Sequence, residues 1–164
     1  NMQRVFPNAN NDRISWACGI TNLQASLDKL NITVESQISD ISEIWDDDFR
    51  IKLSLARAMI RNPKVLILDD IISHMDPESV LWFKEHFVDL AKSRTVVVIS
   101  KDLYNLSICK KLIFLSGSKI SQIGPTVSLL KDEGPAQELL KKQLKVISPQ
   151  FEKHYKTLVQ GMMS

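Results

Sequence analysis

The 164-residue chain carries 44% hydrophobic and 24% charged residues with a formal net charge of +2, the balance of a globular protein long enough to bury a sizeable core. That charge is too small to call for a nucleic-acid partner, and no lysine–arginine cluster combines with stackable aromatics. No apolar run approaches the ~18 residues of a membrane span, and Cys18 and Cys109, without metal-ligand spacing, read as reduced, buried thiols.

The predicted elements start with a helix capped by Asp12, with Ile14, Cys18, Leu23, Leu27 and Leu30 at roughly helical spacing and Gly19 as a weak point. Residues 31–44 are polar and β-branched without a clear period, which predicts a connecting segment. A second helix is predicted over 45–61, with Asp46, Asp47 and Asp48 first and Arg57 and Arg61 last, the order that the helix dipole favours. Its apolar stripe is Phe49, Leu53, Ala56 and Ile60.

An α/β portion follows. Residues 64–69 close on Asp69-Asp70 after the run Val65-Leu66-Ile67-Leu68, the pattern of a fully buried parallel strand that delivers two acids at its C-terminal edge. Asp76-Pro77 is an N-cap with proline at the first helical position. The helix it opens, over 77–92, is expected to bury Val80, Leu81, Phe83, Phe87, Leu90 and Ala91. Residues 95–100 (TVVVIS) predict a second buried strand, and 111–116 with 119–123 predict a hairpin around Gly117-Ser118. Short helices broken at Gly134-Pro135 and Ser148-Pro149 complete the chain. Lysines interleave with leucines there, predicting an amphipathic helix against the domain, with membrane-surface binding as the minority reading. His74, His86 and His154 are too far apart to suggest a metal site, and Trp16, Trp45 and Trp82 are expected in the core.

The stretch ARAMIRNPKVLILDDIISHMD, ending at Asp76, resembles the junction between the signature helix and the Walker B strand of the ATP-binding-cassette (ABC) ATPases. LDKLNITVE, from Leu27, is similar to the stretch ahead of the signature motif. TVVVISKDL falls on the switch strand and KLIFLSGSKISQIG on the closing hairpin. The likeness covers about 120 residues. It implies the C-terminal half of an exporter-type nucleotide-binding domain. Asp69 would then be the Walker B acid that supports Mg²⁺ through water, Asp76 the D-loop aspartate, and Gln3 a weakly matched Q-loop glutamine.

Several positions depart from the family pattern. None of the five glycines lies in a G-x-x-x-x-G-K-[ST] loop, the element that holds nucleotide phosphates. Trp45-Asp46-Asp47-Asp48-Phe49 stands where the family has LSGGQ, so carboxylates replace the groups that cradle the partner's γ-phosphate. The plain reading of those acids is a solvated first turn that stabilises its helix. Asp70 stands in place of the catalytic glutamate, one methylene short, and Lys101 in place of the switch histidine. Lysine only donates, whereas neutral imidazole donates and accepts at once.

The expected fold is therefore α/β: a partial P-loop NTPase-like parallel sheet without the phosphate loop, preceded by a helical subdomain (1–62) around a Walker B/switch core (63–125) and followed by a helical tail (126–164). The resemblance implies a catalytically degenerate portion of an ABC-transporter ATP-binding domain at the cytoplasmic face of a membrane, partnered by a second nucleotide-binding domain and a membrane domain. ATP and Mg²⁺ are expected only when a P-loop half is supplied, and not for the isolated chain. Asp70 and Lys101 would be the catalytic equivalents, Asp69 the metal-side acid, and Gln3, Asp46, Asp47, Asp48 and Asp76 nucleotide-facing. The alternative is a non-catalytic scaffold module built on a decayed half-fold of this type.

Overall fold

The computed structural model describes residues 9–36 and 46–146. Gln3, Trp45 and the chain beyond Val146 lie outside them, as does most of the predicted connecting segment. The chain separates into two compact units at Val97–Val98.

In the first unit, α1 (Asn11–Ile20) is capped by Asn10, whose side chain accepts from the Arg13 N–H at 3.0 Å. The cap is therefore two residues earlier than Asp12. The single helix predicted from the leucine spacing is broken at Asn22, which adopts φ 56°, and resumes as α2 (Leu23–Lys29). Asparagine tolerates that left-handed conformation, which bends the chain so that both helices face one core. Ile14, Cys18, Leu23 and Leu27 are buried as expected, whereas Trp16 is exposed rather than packed.

Helix α3 (Asp47–Ile60) is capped by Asp46, which accepts the Phe49 N–H at 2.7 Å. It packs on α1 and α2, and the Arg13 guanidinium donates to the Ile60 carbonyl at its C-terminal end. Its buried face is Phe49, Leu55, Ala56, Met59 and Ile60. Leu53 is only half-buried. Asp48 and Lys52 are buried with that face.

Strand β1 (Val65–Asp69) pairs with β2 (Thr95–Ile99) in a small parallel sheet, with α4 (Pro77–Ala91) as the crossover. The expectation of a fully buried strand is corrected. Leu66 and Leu68 are buried, but Val65 and Ile67 are 57% and 63% exposed. Val97 and Ile99 of β2 are exposed too. A continuous apolar run signals cover on both faces, and among the described residues cover exists on one. Helix α4 buries Phe83, Phe87 and Leu90, with the two phenyl rings 5.7 Å apart and tilted by 57°. Leu81, expected in the buried stripe, is exposed, Val80 and Ala91 are half-buried, and Ser79 is buried instead.

The second unit opens with α5 (Leu103–Leu106), a short helix that the periodicity does not signal. The hairpin of β3 (Lys111–Ser116) and β4 (Lys119–Pro125) is antiparallel, with an irregularity at Phe114/Leu115. Gly117 (φ 55°) and Ser118 (φ 61°) form its two-residue turn, both left-handed, which suits strand twist. Helices α6 (Thr126–Lys131) and α7 (Pro135–Val146) follow. Helix α7 buries Ala136 and Leu140 and exposes Lys141 and Lys142, as an amphipathic helix should.

Burial raises the Cys18 thiol to about 11 and also raises Cys109. A thiol whose folded pKa is raised favours the neutral form, so its stabilising contribution is intact below the ordinary thiol range and is lost as pH climbs towards 11. At pH 8, Cys18 should carry about a hundred-fold less thiolate than a free thiol. Timed labelling with a thiol reagent should therefore show Cys18 reacting only through unfolding, at a rate that follows denaturant. Labelling as fast as for an unfolded control would contradict its burial.

Candidate functional site

Two segments of the first unit converge: the first turn of α3, and the loop that leaves β1 and enters α4. Asp69 is exposed at the end of β1. Asp70 follows in a left-handed conformation (φ 50°), which carboxylate-bearing residues tolerate. Its Oδ1 accepts from the Ser73 hydroxyl at 2.7 Å, and its backbone carbonyl accepts from His74 Nδ1–H at 3.0 Å. These bonds fold the chain into a 3-10 turn, Ile71–His74, that carries it to Asp76. The Asp70 carboxylate is thus engaged in shaping its own loop.

The three acids of the α3 turn have three different environments. Asp46 caps the helix. Asp47 is exposed, 3.8 Å from the guanidinium of Arg50, an i,i+3 surface pair of little energetic weight. Asp48 corrects the expectation of a uniformly solvated turn. Its side chain and that of Lys52 are each 7% exposed and 2.7 Å apart. Asp48 Oδ1 accepts the Asp76 backbone N–H at 3.1 Å, and Oδ2 accepts the Ser79 hydroxyl at 3.0 Å. Lys52 Nζ also donates to the Ser26 hydroxyl of α2 at 3.1 Å. Asp48 points into the protein, away from any ligand that meets the turn from outside.

Between α3 and β1 runs a groove of about 500 Å³ whose floor includes Leu55, Leu66 and Leu68 and whose polar rim includes Asp47, Arg50, Asp69 and His74. The structure therefore brings Asp69 and Asp47 to one groove, and Asp48 to Asp76. Lys101 belongs to the second unit, exposed, in a segment held by Gln143 of α7: Gln143 Nε2 donates to the Lys101 carbonyl at 2.7 Å and Gln143 Oε1 accepts the Leu103 N–H at 3.1 Å. Lys52, Ser26 and Ser79 are the site residues that sequence reasoning passed over. The i,i+4 spacing of Asp48 and Lys52, acid first, was a signal for the pair. Nothing local announces the two serines, which come from other helices.

As a metal site these residues are incomplete. Among the described residues no group of three or more His, Cys, Asp or Glu side chains converges, and a hard divalent cation needs several oxygen ligands. Asp69 alone does not supply them.

No protein-family model matches the chain. It is 29% identical over 93 residues to an uncharacterized ABC transporter ATP-binding protein, y4gM, of Sinorhizobium fredii, covering 57% of this chain and 16% of that protein. It is 26% identical over 144 residues to ABC transporter B family member 4 of Dictyostelium discoideum, covering 88% of this chain and 19% of the relative. The same identity and length hold for the glutathione/L-cysteine transport system ATP-binding/permease protein CydC of Bacillus subtilis, with 88% and 25% covered. A bacterial Atm1-family ABC exporter solved with ATP bound has the same fold over 87% of this chain and 25% of its own, at a TM-score of 0.76 and 16% identity. The homologues of this chain are ABC-transporter ATP-binding and exporter proteins, and the matches cover most of it. The chain spans a quarter or less of the length of the relatives named.

Proposed function

We propose that these residues act as the C-terminal portion of an ABC-transporter ATP-binding domain, at the cytoplasmic face of a membrane, paired with a second nucleotide-binding domain and a membrane domain. The observation that carries this reading is the placement of Asp69 and Asp70 at the C-terminal end of β1, where open α/β sheets bind ligands, beside the first turn of α3. The relatives' names support the transporter context. The chain's own acids support a degenerate site: the Asp70 carboxylate bonds to Ser73, and the α3 turn presents Asp46 and Asp47 where a phosphate would need donors. Lys101 and Gln3 belong to the same proposal as the switch and Q-loop equivalents.

On this reading, nucleotide affinity depends on a phosphate loop from outside these 164 residues. Calorimetric titration of the isolated chain with Mg-ATP should show no saturable binding tighter than roughly 100 μM, the regime of a few weak polar contacts. The same titration after joining the chain to the P-loop-bearing half of an exporter ATP-binding domain should show binding at least ten-fold tighter. Failure of the joined protein to bind while it remains folded would favour the scaffold alternative. Tight binding by the isolated chain would mean that a phosphate site exists within it.

A further inference from the structure

Helix α4 starts without a cap of its own. Asp76 occupies the N-cap position but its side chain makes no capping bond, and Pro77 follows at the first helical position. The acceptors that meet this helix start come from α3 instead. Asp48 receives the Asp76 N–H on one oxygen and the Ser79 hydroxyl on the other, and Lys52 balances its charge.

We infer that Asp48 is a positioning residue, a latch that ties the first turn of α3 to the loop from β1 to α4 so that the two edges shift as one. That these edges face a nucleotide partner rests on the proposed function; the latch itself does not. The physical case is the burial of the pair. A buried carboxylate and ammonium tolerate few geometries, because each loses its compensation if the other moves. Lys52 extends the constraint to Ser26 in α2, so α2, α3 and the start of α4 share one polar node. An exposed cap would fray independently of its neighbours; this one opens only when the ion pair is uncovered. Displacement of the α3 turn is thereby transmitted to Asp76, and through the same loop to Asp70.

Native-state hydrogen exchange on the full 164-residue chain tests this. In the parent, the amides of Phe49, bonded to Asp46, and Asp76, bonded to Asp48, should report one common opening. The paired variant Asp48→Leu/Lys52→Met removes both charges together and keeps an apolar fill. In it the Asp76 amide should exchange about ten- to a hundred-fold faster, the loss of a hydrogen bond to a charged acceptor, while Phe87 and Leu90 amides hold their rates. Equal acceleration along all of α4 would reduce Asp48 to general stability and overturn the latch. An unchanged Asp76 amide would overturn it as well. Should the paired variant fail to fold, Asp48→Asn carries the test. It keeps an oxygen for the Asp76 N–H but loses the charge, so the Asp76 amide should accelerate relative to the parent, and by more than the amides of Phe87 and Leu90. A uniform factor across those amides would again reject the proposal.

Discussion

Removing either partner of the Asp48–Lys52 pair should lower the stability of the chain by about 3–5 kcal/mol, because each single change leaves an uncompensated charge in a buried site. Asp48→Ala strands the Lys52 ammonium, and Lys52→Met strands the Asp48 carboxylate; both side chains are 7% exposed. For a chain of this length the loss corresponds to roughly 6–20 °C in Tm. Replacing both together, Asp48→Leu/Lys52→Met, should recover most of it, since apolar pairs of similar volume often match a buried ion pair. Thermal melts of the two single variants and the double form the cycle. Additive losses would mean that the residues act independently and that their 2.7 Å contact is not what holds them.

The second large effect concerns phosphate release once a P-loop-bearing half is joined to the chain. Asp70→Glu alone should change the rate little, because on the proposed reading Asp46 and Asp47 still present negative charge to an opposing nucleotide. Replacing the exposed acids, Asp46→Ser with Asp47→Gly, should raise the rate first. Asp70→Glu should then add up to about 10²-fold on that background, the scale on which an ångström of misplacement acts. Effects that multiply independently would contradict a shared closing step. Extending the turn replacement to Asp48→Gly should instead cost activity and stability together, since it removes the partner of Lys52 and the acceptor of the Asp76 N–H.

That last outcome could not have been expected from sequence. Three consecutive aspartates read as one acidic turn. Their separation into a cap, an exposed acid and a buried ion pair depends on which face of α3 meets α2 and α4, and Ser26 and Ser79 lie 22 and 31 positions from Asp48. Much else was legible because the signals were local. The α3 span, the strand ending at Asp69, the Asp76-Pro77 start and the Gly117-Ser118 turn all rest on caps, periods and turn residues within a few positions. The break at Asn22 and the short helix at Leu103 were missed, since a left-handed asparagine and a four-residue helix leave no periodic trace. The exposure of Val65 and Ile67 was missed for another reason. A strand's composition records the cover it is suited to, and the described residues supply one face of it.

Steady-state phosphate release by the unmodified chain joined to a P-loop-bearing half tests the central claim most directly. On the proposed reading, with Asp70 engaged by Ser73 and Asp46 and Asp47 exposed, release should stay at least a hundred-fold below the ~1–10 s⁻¹ usual for enzymes, while Mg-ATP binding to the joined protein remains measurable. Turnover at ~1–10 s⁻¹ would contradict the degenerate-site account and make these residues tolerated variations in a working ATPase.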